Sequence, residues 1–589
     1  MVFLLDELSI IAGAAFVAAG YEESYGRVLR SSRPDLCEFQ CNGAMAAAKA
    51  AHKNPLEIAE DIGGRLKGSS VFSEVAVVKP GFLNLRLDGD FLLSRLSLMV
   101  EDENLGLVKA RDRRKVMVDY GGPNVAKPLH IGHLRAAIIG ESVKRLGKAL
   151  GHEMIGDIHM GDWGLQMGLI IAELKRRNPS LPYFQDGGGD YPAHAPFTLS
   201  ELEEIYPTAS ARSKEDASFK AEAMEATKAL QQGHEGYRAI WRQIMDISVA
   251  DLKKNYERLN VSFELWKGES DADPYIAPLV QRLKDEGYAH ESQGALVVDI
   301  AEEDDVKEIP PCMILKSDGA ALYTTTDLAT LVERVQDFNP ERIIYVADKR
   351  QSLHFTQVFR TAKKTDIVPE ETRLDFLGFG TMNGKDGKPF KTREGGIMRL
   401  SDLIDDVVAL MYQKIRNNEA LSLSEEEARE IAEMVAVSAI KYGDLSNQAS
   451  KDYVFDIDKF TSFEGNTGPY ILYTIVRIKS IIRKYKEKFK TVEGCAFHGV
   501  GSGDEKSLML LLASFDQVIS EAFENLAPHR VCAYIYELAN AFNHFYHETK
   551  IIAEEDREKR EGWIALLLLI LRVLEKSIDI LGMEAPERM

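Results

Sequence analysis

The stretch Val116-Met117-Val118-Asp119-Tyr120-Gly121-Gly122-Pro123-Asn124-Val125-Ala126-Lys127-Pro128-Leu129-His130-Ile131-Gly132-His133 decides the fold. Its opening, Val116 to Tyr120, reads as a buried strand. Gly121 to Asn124 is a loop. A helix then starts near His133 and runs to Leu150, with Leu134, Ile138, Leu146 and Leu150 on or near one face. Gly151 suits its C-terminal cap. The next strand spans about Glu153 to His159. Strand, helix and strand in this order imply a parallel sheet, so the fold class is α/β.

Outward from this unit the pattern changes on both sides. Residues 1 to about 108 read as a small α/β unit. Its clearest strands are Val75 to Val78 and Phe82 to Leu87, with Pro80-Gly81 as the turn between them. Asn42 to His52 is alanine-rich and helix-like. Residues 109–400 carry the sheet pattern, with an insertion at about 170–300 that includes Gly187-Gly188-Gly189 and long charged helical stretches. The sheet pattern returns at Ala320 to Tyr323 and at Arg342 to Val346. Residues 401–589 are mostly helical, and the final helices, Arg530 to Glu548 and Glu554 to Leu581, suggest a bundle.

The 589 residues exceed what one core supports, roughly 250–300 residues, so two to four domains are expected. The net charge of −20 disfavours a chain coated in nucleic acid but allows one RNA bound through local basic patches. Arg111 to Lys115 is a short basic run and reads as a solvated one. Arg477 to Lys490 carries seven bases against Glu487; a solvated face and an RNA-facing stripe are both open. Cys37, Cys41, Cys312, Cys495 and Cys532 contain one close pair and no second, so reduced thiols are expected. The N-terminus has acids where a leader needs bases, and Trp563 to Leu571 is too short to span a bilayer. These features predict a cytoplasmic chain without a membrane segment.

The turn from Pro123 to His133 lies between a strand and a helix start, where a parallel sheet opens its ligand crevice. Free N–H groups at the helix start favour phosphate. Gly132 leaves room for a base or ribose to approach. His130 and His133 can both donate to a polyphosphate, and Lys127 adds a full charge. Such groups stabilise charge during displacement at phosphorus. A second motif, Gly384-Lys385-Asp386-Gly387-Lys388-Pro389-Phe390-Lys391-Thr392-Arg393, puts four bases in a Gly-containing loop suited to a triphosphate and its leaving pyrophosphate. Alone it is weak; paired with the first motif it gains weight.

The pair resembles the HIGH and KMSKS signatures of class I aminoacyl-tRNA synthetases. The string Val118 to Trp163, with Pro-Asn-Val-Ala-Lys and Gly161-Asp162-Trp163-Gly164, resembles the arginyl-tRNA synthetase family specifically. Phe39 to Ala46 resembles that family's added N-terminal domain. Lys441 to Ser446, Phe463 to Tyr470 and the ending Pro586-Glu587-Arg588-Met589 resemble its anticodon-binding domain. The resemblance covers nearly the whole chain. It implies a Rossmann-type catalytic domain at 109–400, an N-terminal domain at 1–108 that contacts the tRNA D-loop, and an anticodon-binding bundle at 401–589.

The implied reaction joins L-arginine to its tRNA through arginyl-adenylate, with ATP and Mg2+ as the substrate complex and no tightly bound cofactor. Bound tRNA is expected to be needed for the first step. The implied partners are arginine tRNA, L-arginine and ATP, with no membrane, no protein-held metal and a monomeric chain. His130, Gly132 and His133 match the HIGH contacts with ATP. Lys388, Lys391 and Arg393 match the degenerate KMSKS loop, whose register is open between Lys388-Pro-Phe-Lys391-Thr and Pro389-Phe-Lys391-Thr392-Arg393. Lys391 lies in both frames; in the second, Lys127 substitutes for an absent loop lysine. Asp119, Asn124, His130, Tyr323, Asp327 and Gln351 match the arginine pocket, with Asp327 as the guanidinium partner. His354 is open between a structural and an active-site role. Gly121-Gly122 stands where the family often has serines. For tRNA, Phe39, Gln40 and Asn42 resemble the D-loop contact, and Tyr470, Tyr546 and Met589 the anticodon contact. The resemblance also favours a phosphate-facing role for Arg477 to Lys490.

Three other classes compete. A small-molecule adenylating ligase can share the His-x-Gly-His turn but does not need the flanking domains. An inactive RNA-binding derivative is disfavoured by intact His130, His133, Lys127 and Asp327. A different amino-acid specificity is disfavoured by the Asp119 and Asp327 pair.

Overall fold

The computed structural model describes residues 2–107, 112–185, 191–388, 398–417 and 423–589. The chain packs as two units. One comprises 111–462 with 581–583; the other comprises 1–110, 463–580 and 584–589. Helices Leu400–Arg416 and Glu425–Leu445 belong to the first unit, so the segment read as 401–589 is divided near residue 462.

The first unit is built on a five-stranded parallel sheet. Its order is Arg373–Phe379, Arg342–Asp348, Lys115–Asp119, Glu153–Met160 and Leu265–Gly268. The central strand, Lys115–Asp119, is apolar on both faces; Val116, Met117 and Val118 are fully buried. From it the chain crosses through helix Ile131–Ala149 to one neighbour, while its other neighbour, Arg342–Asp348, arrives much later in sequence. The strand order therefore reverses beside Lys115–Asp119, and ligands of such sheets bind beyond the carboxyl ends at that point. Met117, Leu328, Ile343, Tyr345 and Val358 share the core beneath it.

Two sequence expectations change here. The region read as one insertion contains the edge strand Leu265–Gly268, too short for its pattern to stand out. Ala320 to Tyr323 is not a sheet strand. Ala321 makes a single bridge to Leu315, and Tyr323 opens helix Tyr323–Phe338. Its apolar residues mimic a strand because the helix start follows at once.

The second unit joins the two ends of the chain. Its antiparallel sheet runs Val28–Arg30, Phe39–Cys41, Phe82–Leu87, Phe72–Val78. Helices Gly468–Phe489, Pro528–Glu548 and Arg557–Ile580 form the helical part. Buried Arg95 bonds Asp516 at 3.1 Å, and Lys506 pairs with Glu38 at 2.6 Å. These ties cross from the N-terminal to the C-terminal segment, so neither is an isolated appendage. Among the described residues no helix is long and apolar enough to cross a membrane.

Candidate active site

The helix after the central strand begins at Ile131, two residues before the predicted start, because His130 is its N-cap. The two histidines close a reciprocal capping box. His130 Nδ1 accepts from the Gly132 N–H at 3.1 Å, and His133 Nδ1 accepts from the His130 N–H at 3.2 Å. Their rings stack at 3.8 Å. Since each Nδ1 accepts, the network assigns the proton of both neutral rings to Nε2. Burial, aided by the charges of His130 and Lys127, pushes His133 down to about 3. Burial and Lys127 lower His130 too. Both rings are therefore neutral N–H donors at pH 7, held at a helix start that itself favours phosphate. A Cβ at Gly132 would lie 2.8 Å from the His130 ring, so a larger residue would break the box.

The turn forms one wall of a cavity of about 670 Å³, which His130, Gly132, His133, Asp119, Asp327, Gln351 and Phe379 to Met382 line. The segments that flank the second motif meet the first at this rim. Ile131 N–H donates to Met398 O and Leu400 N–H to Leu129 O, so the chain leaving the basic loop is bonded onto the histidine turn. At the entering side, buried Arg135 of the histidine helix donates to Gly380 O at 2.7 Å. Lys388 is exposed, while Lys385 is taken by Asp456 at 3.1 Å. Lys391 and Arg393 lie outside the described residues. Lys127 stands over the Tyr206 ring at 4.2 Å, and its charge is felt by both histidines.

Carboxylates gather at the strand ends. Asp119 lines the cavity, and its Oδ2 is already engaged within the chain. It is bound, with Asp157, by the fully buried Arg334, whose Nη2 lies 2.7 Å from Asp157 Oδ2. Burial opposes charge on Arg334, but Tyr345, Asp119 and Asp157 outweigh it and hold its pKa above the ordinary value. Asp327 occupies the second place, on helix Tyr323–Phe338, with its Oδ2 2.5 Å from His354 Nε2. Glu269 lies close enough to feel Asp327. Burial raises its carboxyl, Asp162 and Asp327 raise it further, and His159 opposes them.

The other expected pocket residues divide. Gln351 lines the cavity. Tyr323 does not line it and is 77% exposed, one helical turn before Asp327. Asn124 is exposed and bridges Gly161 through its backbone. The Gly121-Gly122 departure has a local cause: a Cβ at Gly122 would lie 2.2 Å from the His159 carbonyl oxygen, so serine does not fit this turn. Sequence reading missed Glu269 and His159. His159 lines the cavity, and among the described residues neither of its ring nitrogens has a hydrogen-bond partner. Its place near the end of a parallel strand was the available signal.

In the other unit, Phe39 is 5% exposed within its strand, so its ring is core and does not offer a stacking face. Gln40 donates to Asn84 at 2.9 Å, and Asn42 is exposed at the N-cap of helix Gly43–Ala51. Tyr470 donates to Asn540 at 2.7 Å and accepts from Asn543 at 2.9 Å. Tyr546, part-exposed, shares the Arg477 guanidinium with Tyr473, at 5.5 and 4.8 Å. Met589 is half-buried. Along the basic stripe, Lys479 turns inward to Glu575 and Glu587, whereas Arg483, Lys484 and Lys486 are exposed.

A parallel sheet whose switch point carries a capping His-Ile-Gly-His turn, bonded to the stem of a basic loop, defines a class I aminoacyl-tRNA synthetase. Residues 95–457 match the family described as tRNA synthetases class I (R), catalytic domain. Residues 6–87 match the arginyl tRNA synthetase N terminal domain and 471–589 the DALR anticodon binding domain. The chain belongs to the arginyl-tRNA synthetase family. It is 59% identical to the arginine–tRNA ligase of Agathobacter rectalis and 54% identical to that of Alkaliphilus oremlandii, each over 100% of both chains. The arginyl-tRNA synthetase of Plasmodium falciparum has a similar structure, with TM-score 0.83, 25% identity and 100% of each chain covered. That of Thermus thermophilus shares the fold with TM-score 0.78 at 22% identity over 100% of each chain.

Proposed function

We propose that the chain activates L-arginine with ATP and transfers it to arginine tRNA. Membership of the family supports this reading. The observation that carries it is that one cavity joins neutral N–H donors at one wall to the Asp327 carboxylate at another, which among the described residues has His354 and no arginine or lysine as its partner. In the first step a carboxylate oxygen of arginine bonds to the α-phosphorus, and the bond from that phosphorus to the bridging oxygen breaks to release pyrophosphate. His130 and His133 donate through Nε2 to the phosphate oxygens as charge redistributes. Magnesium enters with ATP as part of the substrate. In the second step a terminal ribose hydroxyl of tRNA attacks the arginyl carbonyl and AMP leaves.

Asp327 grips the guanidinium, with Glu269 as a second carboxylate and Gln351 beside it. Asp119 acts through the Arg334 network. Lys388, Lys391 and Arg393 serve the leaving pyrophosphate, with Lys127 adding charge at the histidines. Gln40, Asn42, Tyr470, Tyr546 and Met589 are tRNA contacts in this reading, supported by the family's domains and by the exposure of Asn42 and Tyr546. The expectation of a cytoplasmic monomer stays with it, and sedimentation of the purified chain tests the oligomeric part. The decisive experiment is tRNA charging with all twenty amino acids. Charging with arginine alone is expected; charging with another amino acid, or none, overturns the reading.

A further inference from the structure

The Asp327 carboxylate is not held by its own helix. It is held by His354, the third residue of helix Ser352–Lys364, whose Nε2 lies 2.5 Å from Oδ2. Both side chains are largely buried, at 26% and 22% exposure. The imidazole itself has a fixed seat. It meets Phe355 edge-on at 5.1 Å, and Phe355 packs against Tyr345 and Phe376, each at 4.9 Å. Asp327 and Phe355 line the cavity, whereas His354 does not. His354 therefore touches no ligand in the cavity directly and acts through Asp327.

A carboxylate has about four lone-pair sites. A ring N–H occupies one and stops rotation about the last side-chain bond. The others stay available in a fixed plane. That matters for a planar guanidinium, which forms two parallel hydrogen bonds only when fork and carboxylate are coplanar.

We propose that His354 is a positioning residue for arginine selection: it holds the Asp327 carboxylate in the plane that receives the substrate guanidinium. The inference rests on the functional reading above and adds a residue to it. The test uses the full-length enzyme and pyrophosphate exchange, with agmatine as a competitive probe that keeps the guanidinium and lacks the reacting carboxylate. In His354→Ala, the arginine KM and the agmatine Ki rise about tenfold together, the loss of one charged hydrogen bond. The ATP KM and kcat stay within about twofold. His354→Gln, whose amide N–H replaces the ring donor, recovers most of the loss. In an Asp327→Asn background, His354→Ala adds nothing further, because the pair acts as one unit.

An arginine KM within about twofold of wild type in His354→Ala overturns the inference. So does an ATP KM that rises as much as the arginine KM, or an additive effect in the Asp327→Asn background. If His354→Ala does not fold, His354→Gln decides: a soluble Gln variant with the full arginine defect counts against the inference, and near-normal arginine kinetics support it. A wild-type enzyme that fails to activate arginine would instead overturn the functional reading itself.

Discussion

Two places in the catalytic unit gather carboxylates, and they are finished differently. At the first, Asp119 and Asp157 are closed by the chain's own Arg334, fully buried and stacked over Tyr345 at 5.2 Å. At the second, Asp327 and Glu269 feel each other's charge, and among the described residues no lysine or arginine forms an ion pair with either. Half-buried carboxylates without a cation are unfavourable, since burial penalises the charged form. Folding tolerates this at the second place and not at the first. In the proposed reading the difference is where a guanidinium from outside would belong: the protein satisfies one acidic pair internally and leaves the other for the substrate.

Arg334→Met is the strongest way to break this contrast. It strands two carboxylates, one of them fully buried, and is expected to destabilise the catalytic unit by about 3–5 kcal/mol. Denaturant unfolding measures it; a midpoint equal to wild type would mean the first pair needs no internal cation. His133→Ala tests whether the phosphate wall is separate from both acidic places. Loss of one preorganised donor is expected to slow adenylate formation about a hundredfold. The arginine KM and the tRNA affinity are expected to survive in stopped-flow and filter-binding measurements. An equal loss of arginine affinity would join what the structure keeps apart.

Asp327→Asn removes the charge from the second place. The arginine KM is expected to rise about thirtyfold, with the ATP KM nearly unchanged; parallel loss of both would remove Asp327 from the guanidinium site. Glu269→Gln sharpens the contrast through pH and carries the smallest effect, about fivefold in arginine KM near neutrality. Burial raises the Glu269 carboxyl above its ordinary value. Below the ordinary value it is protonated in folded and unfolded chains alike. As pH rises past it, ionisation costs the folded enzyme stability, and bound arginine offsets that cost. Arginine KM is therefore expected to rise as pH falls through the raised value, and Glu269→Gln is expected to lose this dependence. A KM profile that Glu269→Gln leaves unchanged would remove Glu269 from the pocket.

Most of the catalytic core was legible because its signals are local. Val116 to Val118 show a buried strand in three residues, and the His130 to His133 turn occupies one helix start. The strand Leu265–Gly268 was hidden, being four residues at a sheet edge with one lysine in it. Asp119 and Phe39 show the limit more sharply. Each stands at a position the family motif assigns to a ligand, yet Asp119 is occupied by Arg334, more than two hundred residues away in the chain, and Phe39 is core. No local pattern reports a partner at that separation.

The sequence by itself determined the parallel sheet, the histidine turn, the three family segments and the residue types of the site, since these depend on periodicity and short spacings. Only the tertiary structure decided which carboxylates are spent and which stay open. It also decided that His354 stands behind Asp327, and that the stem of the basic loop is bonded to the histidine turn. Those outcomes depend on which strand ends and helix starts meet across the sheet, and charge compensation is settled by what lies within a few ångströms, whatever its distance along the chain.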